Sequence, residues 1–193
     1  MTTATEARLP RADSVRNRAR ILEAAEAVFG EEGLGVPIDR VAERAGVGVG
    51  TLYRHFPTKE ALFEAIVFRH FEMLLGKARL LKEAPDAGAA LWSFLTEMVE
   101  VATAKRDLAE ALMGAGIDIK ATAGELKTEM DEAIEALFIR AQSDGDIRPE
   151  ASFVDLMGLV AGTCMSTSNS FGPTGCSPTR MLAIISSGLK PDS

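Results

Sequence analysis

Residues Pro37 to Lys59 read PIDRVAERAGVGVGTLYRHFPTK, and two helical periods meet in this stretch at a glycine. Ile38, Val41, Ala42 and Ala45 fall on one face, the spacing of an amphipathic helix. Pro37 suits the first turn of that helix, where no backbone N–H is required. Gly46 follows the last apolar position, and a glycine there takes the left-handed conformation that stops a helix without a Cβ clash. The pattern restarts two residues later. Val49, Leu52 and Phe56 recur at three and four, which turns Gly50, Thr51, Arg54 and His55 elsewhere, and Pro57 closes the second helix. The stretch is a helix-turn-helix pattern whose second helix is polar, aromatic and basic on its free side.

Gly46-Val47-Gly48-Val49-Gly50-Thr51-Leu52-Tyr53-Arg54-His55-Phe56, followed by Lys59-Glu60-Ala61-Leu62, resembles the signature of the TetR family of bacterial one-component transcriptional regulators. The likeness covers the first third of the chain, and the remainder is similar in helix content and length. The resemblance implies an all-α fold, with an N-terminal three-helix DNA-binding domain joined by a long helix to a larger helical ligand-binding and dimerisation domain. It implies a homodimeric, sequence-specific DNA-binding repressor released from a pseudo-palindromic operator by a small-molecule effector, with no enzymatic activity and no cofactor. Tyr53, His55 and Lys59 resemble the family's backbone-contacting positions, where hydroxyl, imidazole and ammonium groups donate to phosphate oxygens and fix register without reading bases. The family often has Ser at Gly48 and Thr at Pro37, so two side-chain contacts or caps are missing from this chain.

The first turn of the second helix carries short side chains, Gly48, Val49, Gly50 and Thr51, which allow close approach to the floor of a major groove. Val49 and the Thr51 methyl suit thymine methyls, and the Thr51 hydroxyl suits a base edge or a phosphate. Arg54 reaches a base or a phosphate by periodicity. Asp39 complements the dipole of the first helix and would repel phosphate, so it is not expected to touch DNA.

Charge is segregated along the chain. The net charge is −7, which would oppose nucleic acid if it were spread evenly. Nine basic and nine acidic residues lie in 1–60, against twelve and nineteen in 61–193. The front is neutral with basic clusters, and the rear is acidic and repels DNA. Residues 1–13 lack periodicity and form a flexible basic arm. With Arg8, Arg11, Arg16, Arg18 and Arg20 interrupted by Asp13, this stretch suits phosphates or a minor groove, or else a solvated tail and helix face. From Ser14, read as an N-cap, Ile21, Leu22, Ala25, Val28 and Phe29 form a core stripe. Residues 14–57 make the DNA-binding domain.

Residues 58–193 make the effector-binding and dimerisation domain. A long helix from Thr58 to about Lys82 links the two domains, at ~1.5 Å per residue. Helices follow over Ala89–Ala104, Asp107–Met113, Ala121–Gln142, Val154–Met165 and Pro178–Gly188, with turn chemistry at Ser143 to Pro149. The last two, about 151–168 and 178–188, are apolar on more than one side and contain Gly158, Ala161 and Gly162. They are expected to pair with a second copy, as the family does in a four-helix bundle. Trp92, Phe94, Met98, Met113, Met130, Phe138 and Met157 are candidates for an effector pocket, because methionine and aromatics fit irregular apolar ligands. Thr96, Thr103 and Cys164 are candidate polar contacts. Few charges lie on the inner faces, which favours an uncharged, lipophilic effector.

No metal site is expected, because His70 has no histidine or cysteine near it in sequence and Cys164 and Cys176 have no histidine partners. The same lack of a base argues against nucleophilic catalysis. Two cysteines favour a reducing compartment, no apolar run approaches a membrane span, and no signal-peptide core is present. A cytoplasmic protein is expected. A thiol-based redox sensor and an effector-independent DNA-binding protein are the competing readings.

Overall fold

The computed structural model describes residues 9–117, 124–166 and 177–191. Nine helices and no strand occur among them: α1 (Leu9–Glu32), α2 (Ile38–Ala45), α3 (Val49–His55), α4 (Lys59–Leu81), α5 (Ala87–Ala104), α6 (Arg106–Gly114), α7 (Gly124–Ser143), α8 (Phe153–Ser166) and α9 (Pro178–Gly188). The expected all-α class is the observed one. Two compact units divide the chain, one of residues up to Phe68 together with Asp107–Ile117, the other of Arg69–Arg106 together with the residues from Asp118 onward. The first unit therefore runs past residue 57 and takes in the early turns of α4 and most of α6.

In the first unit, α1 packs on both α2 and α3. Its stripe of Ile21, Leu22, Ala25, Val28 and Phe29 is buried, as are Ile38, Val41, Ala42 and Ala45 of α2. The seven residues of α3 are too few to hold a helix alone in water. Leu52 and Phe56, with 0% and 2% exposure, anchor it, each side chain contributing about 1.5–3 kcal/mol by leaving water. α1 begins at Leu9 rather than at Ser14, because Pro10 lies in the first turn, where a missing N–H costs nothing. The arm is thus helical from Leu9, and its residues 1–8 lie outside the described residues.

The second unit is built on α5 and α7, which pack on each other, with α8 and α9 against α5. Leu91, Phe94 and Leu95 of α5, Ile134, Leu137 and Phe138 of α7, Leu156 and Val160 of α8 and Leu182 of α9 share one core. Polar contacts fix its edges. The Asp86 carboxylate caps α5 by accepting from the Ala89 N–H at 2.7 Å. Arg140 donates to the carbonyls of Lys82 and Ala84, and Gln142 donates to those of Arg148 and Ala151 at 3.0 and 2.9 Å. Gly88 lies so close to the turn after α7 that a Cβ there would stand 2.5 Å from the Asp146 Oδ2.

Candidate nucleic-acid interface

Gly46 has φ 62° and ψ 39°, the left-handed conformation its position implies. Its N–H donates to the Glu43 carbonyl at 3.1 Å and the Val47 N–H to the Ala42 carbonyl at 3.0 Å. This crossed pair closes α2 and turns the chain within two residues. Arg20 of α1 donates to the Gly46 carbonyl at 3.5 Å. Gly48 then caps α3 by backbone alone, its carbonyl accepting from the Thr51 and Leu52 N–H groups. Neither Gly48 nor Pro37 offers a side-chain cap, as their identities require.

α3 buries one residue along its length, Leu52. Val49 is 41% exposed and Tyr53 44%, Gly48, Gly50 and Arg54 are exposed, and Thr51 and His55 are half-buried. Val49 therefore does not extend the inward stripe of Leu52 and Phe56: it stands at the mouth of the helix, one turn ahead of the buried face. Arg54 makes no ion pair or hydrogen bond among the described residues. A Cβ at Gly50 would meet nothing within 4 Å, so the backbone of α3 is bare there. The free surface of α3 thus carries a methyl, a hydroxyl, a phenol and a guanidinium on a short, close-approaching helix, the groups that donate to phosphates and read base edges.

Other cations nearby are already engaged. Arg18 stacks over the Phe56 ring at 5.3 Å, Arg16 pairs with Asp13, and Arg44 pairs with Glu31 at 3.2 Å. Arg40 bonds Glu32 at 3.3 Å and pairs with Glu43, which together hold its guanidinium above its usual pKa. Lys59 has partners the sequence does not show: its Nζ donates to the Val36 carbonyl at 2.7 Å.

Of the candidate effector residues, Phe94, Met130 and Phe138 share the core of the second unit, and Trp92, Met98 and Met157 pack against it. Phe94 and Phe138 are core, 0% and 3% exposed, and Met130 is buried with them. Met113 is 61% exposed on α6 and belongs to the first compact unit. Trp92, Met98 and Met157 are half-buried against the core of the second unit. Trp92 also walls an open groove of about 460 Å³ with Ser93, Thr96, Glu97 and Glu100; Trp92 and Thr96 are candidates in the sequence, and Ser93, Glu97 and Glu100 are not, because the hydrophilic face of an amphipathic helix reads as solvent-facing. Thr96 and Thr103 donate to the carbonyls of their own helix, Trp92 and Val99, at 2.8 Å. Burial pushes the Cys164 thiol pKa up, and Cys176 lies outside the described residues. No group of three or more metal-ligating side chains occurs among the described residues, and no helix of theirs is long and apolar enough to cross a membrane.

Comparison with known proteins agrees with this architecture. Residues 21–66 match the family of bacterial regulatory proteins of the tetR type, and residues 78–191 match the C-terminal domain of SbtR-like transcriptional regulators. The TetR transcription regulatory protein from Mycobacterium vanbaalenii is 36% identical, superposing over 94% of this chain and 99% of that one with a TM-score of 0.73. A TetR transcriptional regulator from Streptomyces coelicolor is 33% identical over 91% and 99%, with a TM-score of 0.70. The transcriptional repressor KstR of Mycolicibacterium smegmatis is 33% identical over 67% of this chain and 64% of its own length, and a Staphylococcus aureus regulator is 36% identical over 38% and 40%. The chain thus spans less than two thirds of these curated relatives. By its matched N- and C-terminal domains, the chain belongs to the TetR family of bacterial transcriptional regulators.

Proposed function

We propose that the chain is a transcriptional repressor that binds a pseudo-palindromic DNA operator as a homodimer and leaves it when a small-molecule effector binds. The observation that carries this reading is the free face of α3. A seven-residue helix buries Leu52 and leaves Val49, Gly50, Tyr53 and Arg54 exposed. Gly48, Val49, Gly50 and Thr51 form the end that approaches base edges, and Tyr53, Arg54 and His55 follow as phosphate or base contacts.

Dimerisation through α8 and α9 is supported by their unburied apolar side chains. Val154, Leu159 and Met165 are 77%, 48% and 62% exposed, Ile184 is 67% exposed, and Gly158, Ala161 and Gly162 lie exposed among the first three. Small residues between large ones let a second helix approach closely. A two-fold dimer sets its two α3 helices about 34–36 Å apart, one turn of DNA.

The effector site is proposed for the second unit around Trp92, with Met98 and Met157 as adaptable neighbours. The carboxylate of Glu100 beside Trp92, next to the ion pair of Glu97 with Lys77, makes a purely lipophilic ligand a poorer fit than the sequence suggested. A near-complete switch requires a ligand that prefers one state by about 5.5 kcal/mol.

Footprinting the protein on DNA flanking its own gene tests the central reading. A protected pseudo-palindrome, lost in Arg54→Ala, is the expected result. Equal affinity for random and upstream DNA at matched salt would leave only a non-specific DNA-binding protein.

A further inference from the structure

Phe138 and Gln142 stand one turn apart on the same face of α7, and both reach the start of α8. The Phe138 ring lies 6.0 Å, between centroids, from that of Phe153, the first residue of α8. The half-buried Gln142 side chain directs both N–H groups of its amide at the turn just before it, to the Arg148 carbonyl at 3.0 Å and the Ala151 carbonyl at 2.9 Å. The turn also closes on itself, the Ala151 N–H donating to the Arg148 carbonyl at 3.2 Å. Ser152 follows and caps α8, its Oγ accepting from the Asp155 N–H at 3.1 Å and donating to the Asp155 carboxylate at 2.6 Å. The same turn grips α9. The Arg148 N–H donates to the Leu189 carbonyl at 2.8 Å and its guanidinium to the Lys190 carbonyl at 3.1 Å, just past the last turn of α9, where the negative end of the helix dipole favours a cation.

We propose that Gln142 is a positioning residue for the dimer: by fixing the turn of residues 148–152 it sets the start of α8 and the end of α9 at the angle at which the pair meets a second copy. α8 and α9 pack on each other and on α5, and apolar packing of that kind is non-directional and lets helices slide. Hydrogen bonds at fixed points do not. The two donors of one planar amide hold two carbonyls at a defined spacing, which a side chain with no donor cannot do. The exposed apolar residues of the proposed interface begin at Val154, next but one to the Ser152 cap, and include Ile184, little more than one turn before the Leu189 carbonyl. A small rotation at the turn is therefore carried into both helices of the interface. This consequence for assembly rests on the dimer reading above; the joint between α7, α8 and α9 does not.

The test compares full-length wild type, Gln142→Leu and Gln142→Asn by amide hydrogen exchange and by the dimer dissociation constant from sedimentation. Leu keeps the apolar stem and removes both donors. Exchange of the Arg148 amide is expected to rise about five-fold in Gln142→Leu relative to the Phe94 and Leu95 amides of α5, the change that one net hydrogen bond brings, and the dissociation constant is expected to rise about five-fold with it. Gln142→Asn, which keeps the amide but stops one methylene short, is measured alongside in case Gln142→Leu does not fold, with smaller rises in both quantities expected. An Arg148 amide that exchanges as in wild type overturns the joint. A faster Arg148 amide with an unchanged dissociation constant overturns the positioning role, and so does an equal acceleration of the α5 amides, which would mean a general loss of stability. Should wild type sediment as a monomer throughout, the dimer reading fails, while the Arg148 amide still decides whether Gln142 holds α9.

Discussion

Gly50 and Tyr53 stand three residues apart on α3 and make different demands on a DNA groove. A Cβ at Gly50 enters open space in the free protein, and alanine is the better helix former by roughly 0.5–1 kcal/mol. Gly50→Ala is therefore expected to leave thermal stability unchanged or slightly raised while weakening operator binding about ten-fold, a loss of ~1.4 kcal/mol. Full affinity in that variant would mean that α3 does not approach DNA through its bare backbone. Tyr53 is 44% exposed, and Tyr53→Phe removes one hydroxyl and no charge. Titration should show binding weakened by about 0.5–1.5 kcal/mol on operator and random DNA alike, with the salt slope unmoved. A loss confined to the operator would make Tyr53 a base reader. The identities of these side chains were legible in the sequence, and so was the left-handed turn at Gly46. The engagement of Lys59 was not, because Val36 and Phe29 are brought to it from two other segments, while Phe63 lies one turn on along its own helix.

Helices with a strong apolar period and a clear stop were legible almost to the residue. α2 ends at the glycine that its period requires, α9 spans Pro178–Gly188 as read, and the turn after α7 has its glycine, Gly145, at φ 82°. α1 was less so, since a proline near a helix start is compatible with either side of the boundary. Close packing between elements left no trace in the pattern. Gly88 reads as a break before a helix, yet it is buried and faces Asp146, where a Cβ would stand 2.8 Å from Cγ and 2.9 Å from Cβ. Gly88→Ala is expected to destabilise the second unit by about 1–3 kcal/mol, the usual cost of overpacking. Chemical denaturation measures it, and Asp146→Gly in the same chain should restore much of the loss. A neutral Gly88→Ala would show that the turn after α7 yields without strain.

For the whole molecule, the exposed apolar residues of α8 and α9 make self-association the decisive measurement. Ile184, 67% exposed, would be buried in a paired bundle, and Ile184→Glu places an unpaired charge there at a cost of several kcal/mol. Sedimentation is expected to find a dimer for wild type and a monomer for Ile184→Glu, with operator binding lost in parallel. A wild-type monomer at micromolar concentration would remove the dimer from the model of repression. The sequence by itself determined the helical class, the helix-turn-helix and the family, because helical period, glycine stops and short surface side chains are local properties written in consecutive residues. Only the tertiary structure decided that Phe94 and Phe138 are core, that Met113 lies exposed in the other unit, that Val49 faces outward and that Lys59 ties three segments together. Those outcomes depend on which distant side chains meet, and a one-dimensional period records the face a residue lies on but not the partner it finds there.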